Sequence, residues 1–328
     1  MQAVILAAGK STRTYPLTLN RPKALLPIAN KPLLQYGLEE LKGIATEIII
    51  IVGFEKEQIM KQFGKSFNTV PIKYVEQKEQ LGTAHALMQA KDLLKDRFIV
   101  MNGDDIYSCN DMNGCIKKFD EHDACVLAQP VDEPERFGVY VTENGLVKEI
   151  VEKPKNFVSN LANAGFYVFD KKALNVKVER SPRGEYEIVD IVRSLAGTGK
   201  VRCETVKDYW IPVGYPWSLL DANAHILKSI ENDIKGEVEP NATIKGKVKI
   251  GKGTLVKNGA YIEGPVVIGE NCTIGPNCFI RGSTSIGNNC RVGNGVEIKN
   301  SIIMNKSYVN HLSYIGDSII GNNVNIGA

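Results

Sequence analysis

Long apolar runs are missing: the longest aliphatic stretch, Ile48 to Val52, is far shorter than the roughly 20 residues a helical membrane span needs. The N-terminus reads at once as a strand, with no charged leader, apolar segment or cleavage site, so no export signal is expected. The 7 cysteines are odd in number and none forms a CxxC pair. That pattern predicts reduced thiols in a cytoplasmic protein rather than a disulfide framework. Basic runs and basic–aromatic interleaving are absent, and a net charge of +3 with 23% charged residues is ordinary. Neither a nucleic acid nor a membrane is therefore an expected partner. Two phosphate-binding signatures are also missing, GxxxxGK[ST] and GxGxxG, which removes the P-loop and dinucleotide classes.

What the chain does have begins at once. Val4-Ile5-Leu6 is a β-branched and aliphatic run that opens into Ala7-Ala8-Gly9-Lys10-Ser11-Thr12-Arg13. A buried strand ending in small residues lets backbone N–H groups approach a ligand closely. Arg13, and Lys23 in Arg21-Pro22-Lys23, then offer a forked cation and a point charge for a polyphosphate.

The chain has two halves with different periods. Residues 1–215 alternate strands (2–7, 47–52, 72–76, 98–102, 124–129, 137–141, 165–169) with helices (32–43, 55–63, 83–95, 111–120). That alternation predicts an α/β, doubly wound, mostly parallel sheet with ligands beyond its carboxyl edge. A linking helix is expected over 216–235, from Trp217 to Ile234. Over 236–328 an aliphatic residue recurs every six positions, from Val238 and Ile244 to Ile298 and Met304, and small residues such as Thr254, Cys272, Cys278 and Cys290 fill a second inward register. This hexapeptide repeat predicts a parallel β-helix. Its phase breaks after Met304 and resumes as Tyr308, Tyr314, Ile320 and Ile326, which predicts a loop leaving the stack.

Three more segments carry candidate chemistry. Gln77 and Gly82-Thr83 follow a strand and open a helix, with Thr83 suited to cap it and His85 structural within it. Asn102-Gly103-Asp104-Asp105 ends a strand, where a carboxylate is placed to hold Mg²⁺ against phosphates. Phe137-Gly138, Glu152-Lys153-Pro154 and Asn163-Ala164-Gly165 otherwise read as turns.

The small-residue loop, Arg13 and Pro22-Lys23 together resemble the sugar-1-phosphate nucleotidylyltransferases. The resemblance implies a Rossmann-like nucleotidyltransferase fold and a left-handed form for the β-helix. It wraps Leu6, Ala7, Ala8 and Gly9 around a nucleoside triphosphate, UTP or dTTP, with Arg13 on its phosphates and Lys23 beside the reacting one. It gives Gln77, Gly82 and Thr83 to the base and Asp104 to Mg²⁺. A sugar-1-phosphate falls to Gly138, Glu152, Lys153, Asn163 and Gly165. Arg183-Gly184-Glu185-Tyr186-Glu187 matches a family stretch without a chemical role. One departure stands out: Trp210-Ile211-Pro212-Val213-Gly214 puts proline where the family has its second metal-binding Asp, leaving Asp208 or water to complete the shell.

The tail, Asn310 to Asp317 and then Asn322 to Ala328, resembles the acetyltransferase half of the bifunctional N-acetylglucosamine-1-phosphate uridyltransferase/glucosamine-1-phosphate acetyltransferase family. By that resemblance Arg281, Lys299, Tyr314 and Asn325 hold an amino-sugar phosphate and His311 removes a proton from its amine. The family places acetyl-coenzyme A on coils beyond Ala328, so acetyl transfer is expected only as a second activity, and the β-helix is expected to form a homotrimer. The leading expectation is synthesis of UDP-N-acetylglucosamine. The alternatives are a glucose-1-phosphate thymidylyl- or uridylyltransferase and a catalytically silent regulatory subunit of this fold.

Overall fold

The computed structural model describes residues 1–120 and 122–327. The chain divides into two compact units. The first comprises Met1–Thr12, Asn20–Leu25 and Leu33–Pro212; the second comprises Arg13–Leu19, Leu26–Pro32 and Val213–Ala328.

The first unit is an α/β fold built on one large sheet. Four strands form its parallel block, in the spatial order Arg97–Asn102, Gln2–Ala7, Glu47–Val52 and Val70–Glu76. They are near-continuous aliphatic runs because helices cover both faces. Alternate residues feed two cores: Val4, Ile49, Ile51 and Val100 pack with Leu87, Ile188 and Val192. Ile5, Ile48, Ile50 and Ile99 pack with Leu34, Leu38, Ile59 and Met112. Beyond Arg97–Asn102 the sheet turns mixed, with Leu161–Asp170 antiparallel to both of its main neighbours, Arg97–Asn102 and Ala124–Pro130.

Several boundaries differ from the sequence expectation. The helix expected over 83–95 is Thr83–Met88 followed by a single turn, Lys91–Leu93. The helix expected over 111–120 runs Cys109–Lys117, because the Ser108 hydroxyl accepts from Asn110 N and fixes its start. Strands Leu146–Glu152 and Val201–Thr205 and helix Ile188–Ala196 were not anticipated. Asn144-Gly145, both at positive φ, marks the first of these as a hairpin partner of Gly138–Glu143.

The second unit contains the left-handed parallel β-helix. Its inward aliphatics stack in register: Ile250 over Ile268 over Ile286, Val256 over Ile274 over Val292, and Ile262 over Ile280 over Ile298. The linking helix is shorter than expected, Pro216–Lys228, and Asp233–Ile234 already pairs with Lys249–Ile250 as part of the coil. Asn232, just beyond the helix, accepts from Val248 N at 2.7 Å.

The phase break has a different origin from the one expected. Ile286 pairs with Ile303, Ile298 with Ile315 and Val309 with Ile326. One side of the coil has lost a residue between Ile298 and Ile303, and the same side is short again between Ile315 and Ile320. No loop leaves the stack. Ile303, Val309 and Ile315, not Met304, Tyr308 and Tyr314, therefore belong to the aliphatic stack, and Tyr308 and Tyr314 are exposed. Asn300 and Asp317 make the shortened corners at positive φ, where Asn and Asp are tolerated.

The small inward register bonds coil to coil. Thr254 Oγ1 donates to Gly269 O and accepts from Cys272 N. Cys272 Sγ repeats this with Gly287 O and Cys290 N, and Ser307 Oγ with Gly321 O and Val324 N. Helix Pro216–Lys228 fastens the segment Leu26–Pro32 to this unit. Fully buried Asn223 accepts from Ala29 N at 2.9 Å and donates to Ser283 O at 2.8 Å.

Candidate active site

The carboxyl ends of the four parallel strands line up the candidate segments. Gly103 N donates to Leu6 O at 2.9 Å, Phe54 N to Ala8 O at 3.2 Å, and Gln77 N to Val52 O at 2.8 Å. Asn102-Gly103, the small-residue loop and Gln77 are thus stitched side by side. Gly53, which the sequence reading passed over, is required here: a Cβ would stand 2.6 Å from Ala8 O. Gly9 has open space around it, so its backbone is free to meet a ligand.

Lys23 is buried, and its ammonium forms an ion pair with Asp104, whose side chain is 36% exposed. Asp105 points elsewhere. Its carboxylate accepts from Asn102 Nδ2 at 3.1 Å and from Trp210 Nε1 at 3.3 Å. Burial, helped by the charge of Asp104, pushes its pKa up to about 7 against the pull of Lys23. Pro212 pairs with Asp105 across a short antiparallel ladder and contributes no side-chain oxygen. Asp208 does not replace it. It accepts from Ser108 Oγ at 2.8 Å and Asn110 Nδ2 at 2.9 Å at the far end of that ladder, beyond the Trp210–Tyr107 pair.

Among the described residues no three His, Cys, Asp or Glu side chains gather as a metal cluster. Mg²⁺ characteristically takes one or two carboxylates together with waters and substrate phosphates. The lone carboxylate of Asp104 therefore fits a metal that arrives on a nucleotide.

Gln77 is buried, and its Nε2 donates to Gly82 O at 3.1 Å and lies 3.0 Å from His85 Nδ1. Gly82 is the helix N-cap, at φ 109, and Thr83 is not. The Thr83 hydroxyl instead accepts from Ile188 N at 3.0 Å, serving the start of helix Ile188–Ala196. Segment 183–187 presses on this turn: a Cβ on Gly82 would lie 2.3 Å from Tyr186 O. Arg183 then reaches Glu152 at 3.0 Å and Glu187 at 2.8 Å. The stretch without an expected role thus ties the Gly82 turn to Glu152.

Glu152 faces Gly138, where a Cβ would meet its carboxylate at 2.7 Å. Burial raises the Glu152 pKa against the Arg183 guanidinium. Asn163 Oδ1 accepts from Tyr140 Oη at 2.9 Å and Gly165 N at 2.9 Å, while its Nδ2 donates to Tyr167 Oη at 2.7 Å. One amide hydrogen is left for a ligand. Gly165, at φ 68, lies against Asn102, and a Cβ there would stand 2.1 Å from Asn102 Nδ2. Lys153 is exposed and anchored through its backbone N to Phe137 O at 2.9 Å.

Arg13 falls in the second unit, where its guanidinium carbon lies 5.3 Å from the centre of the Tyr215 ring. On the β-helix, Arg281 and Lys299 are neighbours in one ladder, with Gly316 next. Arg281 pairs with Glu297 at 2.9 Å and Lys299 with Asp317 at 3.6 Å. Tyr314 pairs with Glu297 on the same sheet. His311 ends a strand of the adjacent sheet and is exposed, one corner away from Tyr314. Asn325 accepts from Asn310 Nδ2 at 2.6 Å in that second sheet.

A family described as Nucleotidyl transferase matches residues 2–229, and one described as the GMPPB C-terminal domain matches residues 262–328. The Methanocaldococcus jannaschii protein named Bifunctional protein GlmU is 44% identical, across 100% of this chain and 79% of its own. The Sulfurisphaera tokodaii Bifunctional sugar-1-phosphate nucleotidylyltransferase/acetyltransferase is 37% identical, across 100% of this chain and 81% of its own. UTP--glucose-1-phosphate uridylyltransferase AglF of Haloferax volcanii is 38% identical over 66% of this chain and 92% of its own. Among solved structures, a putative glucose-1-phosphate thymidylyltransferase from Bacillus anthracis, in complex with a sucrose, aligns with a TM-score of 0.65 at 34% identity. It covers 71% of this chain and 97% of that one.

Proposed function

The chain belongs to the nucleotidyl transferase family, and on that premise we propose that this sugar-1-phosphate nucleotidyltransferase joins UTP to N-acetylglucosamine-1-phosphate and releases pyrophosphate. The observation that carries the reading is the buried Lys23 paired with Asp104 at the carboxyl edge, next to the small-residue loop. The resemblance of the tail, Asn310 to Asp317 and Asn322 to Ala328, to the acetyltransferase half of an amino-sugar family supports the amino sugar over glucose.

The reaction needs no nucleophilic side chain. A phosphate oxygen of the sugar-1-phosphate attacks the α-phosphate of the nucleotide in line, the bond to the β-phosphate breaks, and pyrophosphate leaves. Backbone N–H groups of Leu6 to Gly9 receive the phosphates, and Lys23 and Arg13 neutralise charge that spreads in the transition state. Asp104 would hold Mg²⁺, which supplies further charge neutralisation when bound. Gln77 and Gly82 read the base, while Glu152, Lys153 and Asn163 hold the sugar phosphate. In the second unit Arg281, Lys299, Tyr314 and Asn325 hold glucosamine-1-phosphate; its amine attacks the thioester carbonyl of acetyl-coenzyme A, His311 accepts the amine proton, and the C–S bond breaks to release coenzyme A as its thiol. The exposed Tyr308, Leu312 and Tyr314 suit burial in a homotrimer.

A matrix of nucleoside triphosphates against sugar-1-phosphates, run with and without Mg²⁺, tests the substrate assignment. UTP with N-acetylglucosamine-1-phosphate should give the highest kcat/KM. A clear preference for dTTP or UTP with glucose-1-phosphate would replace it with the reading that the Haloferax and Bacillus likenesses favour.

A further inference from the structure

Arg13, like Arg180 over Tyr186, packs on an aromatic ring and not against a carboxylate. Arg97, Arg136, Arg183, Arg193, Arg202 and Arg281 each pair with a carboxylate. Among the described residues Arg13 pairs with none, and its guanidinium lies instead over the Tyr215 ring, 5.3 Å from the centre. Trp217 stacks with that ring at 4.6 Å between centroids, with the two planes only 5° apart. Trp217 is 57% exposed, so core burial does not explain its place there. Pro216 between the two aromatics is the first residue of helix Pro216–Lys228 and restricts the backbone that presents them.

We propose that Tyr215 and Trp217 form a platform that positions Arg13 for the triphosphate, an inference that rests on the phosphate-binding role given to Arg13 above. A guanidinium held face-on by the negative face of an aromatic ring keeps its edge N–H donors available. A carboxylate partner would occupy those donors and cancel the charge that a polyphosphate needs. The platform therefore orders a long, exposed side chain without spending its hydrogen-bonding fork. Tyr215 and Trp217 are positioning residues, acting through Arg13.

A double-mutant cycle on the full chain tests this, reading kcat/KM for UTP at saturating sugar-1-phosphate. Tyr215→Leu should lose about 3- to 30-fold in the wild-type background, the range of a cation–π contact. It should lose less than about 2-fold when Arg13 is already alanine, because coupled residues are not additive. Tyr215→Phe should stay near wild type, since the ring and not the hydroxyl carries the effect. Equal losses for Tyr215→Leu in both backgrounds would overturn the platform while leaving the Arg13 assignment intact. No loss in Arg13→Ala would instead remove the phosphate role of Arg13, and the platform with it. Should Tyr215→Leu fold poorly, Trp217→Leu on the exposed side runs the same cycle with a smaller expected loss. As a readout independent of turnover, UTP alone should change the fluorescence of Trp217, and the change should vanish in Arg13→Ala. A signal that persists unchanged in Arg13→Ala counts against the platform.

Discussion

Asp104 and Asp105 are chain neighbours with opposite environments. Asp104 is partly exposed against Lys23, while Asp105 is buried among Asn102, Tyr107 and Trp210. Only the first can meet a ligand without stripping a structural hydrogen bond. Lys23→Ala should therefore abolish turnover, by about 10³-fold or more if Lys23 stabilises transition-state charge; substantial pyrophosphate release from that variant would refute the assignment. Arg183 holds a second pair of acids. Burial raises Glu152 despite Arg183; burial also pushes Glu187 up, but hydrogen bonds from Ser181 and Arg183 outweigh it and leave its pKa lowered. In Arg183→Leu both carboxylates would lose their guanidinium and keep only Lys153, with its weaker pull, as a cation, so both folded-state pKa values should lie above the unfolded ones. The penalty is then absent below the unfolded pKa of about 4.3 and grows as pH rises through the raised values. Given the exposure of Arg183 it should be of order 1 kcal/mol at pH 8 and mostly gone near pH 4.5, in urea melts against wild type. Asn102-Gly103-Asp104-Asp105 was legible in sequence because a strand end with carboxylates is a local pattern. The Arg183–Glu152 contact was not, because strand Leu161–Asp170 separates the two residues in the chain.

At the scale of elements, the repeat was the most legible feature and its interruption the most misleading. Six-residue spacing specifies inward positions only while every side keeps its length. A single missing residue mimics an inserted loop in sequence, and register across the coil distinguishes the two: Ile303 pairs with Ile286, which leaves no room for an excursion. The cysteines of the inward register are buried, as their spacing predicts, but Cys272 and Cys290 also occupy a hydrogen-bonding position that Thr254 and Ser307 fill with hydroxyls. Cys290→Ala should cost about 1 kcal/mol of stability, with Cys290→Ser closer to wild type, as thermal unfolding would report. Equal melting of all three forms would reduce Cys290 to filler. Strand Leu146–Glu152 escaped notice because its apolar residues do not alternate cleanly and its pairing with Gly138–Glu143 shifts register between Val141 and Thr142.

The whole molecule carries two candidate chemistries on two scaffolds that differ in how side chains are presented. On the parallel block, ligand groups come from loops at strand ends. On the β-helix, Arg281 and Lys299 project from strands in adjacent coils, so spacing along the ladder is fixed by the backbone. His311→Ala should remove acetyl transfer to glucosamine-1-phosphate while leaving nucleotidyl transfer unchanged, and Lys23→Ala should do the reverse. Two separate assays on each purified variant check this, and joint loss in either would mean the chemistries are not independent. The strand order of the sheet has one more consequence, in the order of synthesis. Gln2–Ala7, the first strand made, lies between Glu47–Val52 and Arg97–Asn102, and Ala124–Pro130 lies between Leu161–Asp170 and Val201–Thr205. A nascent chain must therefore wait for residues far downstream before this sheet closes, whereas each β-helix coil stacks on the one just completed. Slow, non-local closure precedes fast, local winding, so the sheet, not the coil, should be where folding of this chain is won or lost to aggregation.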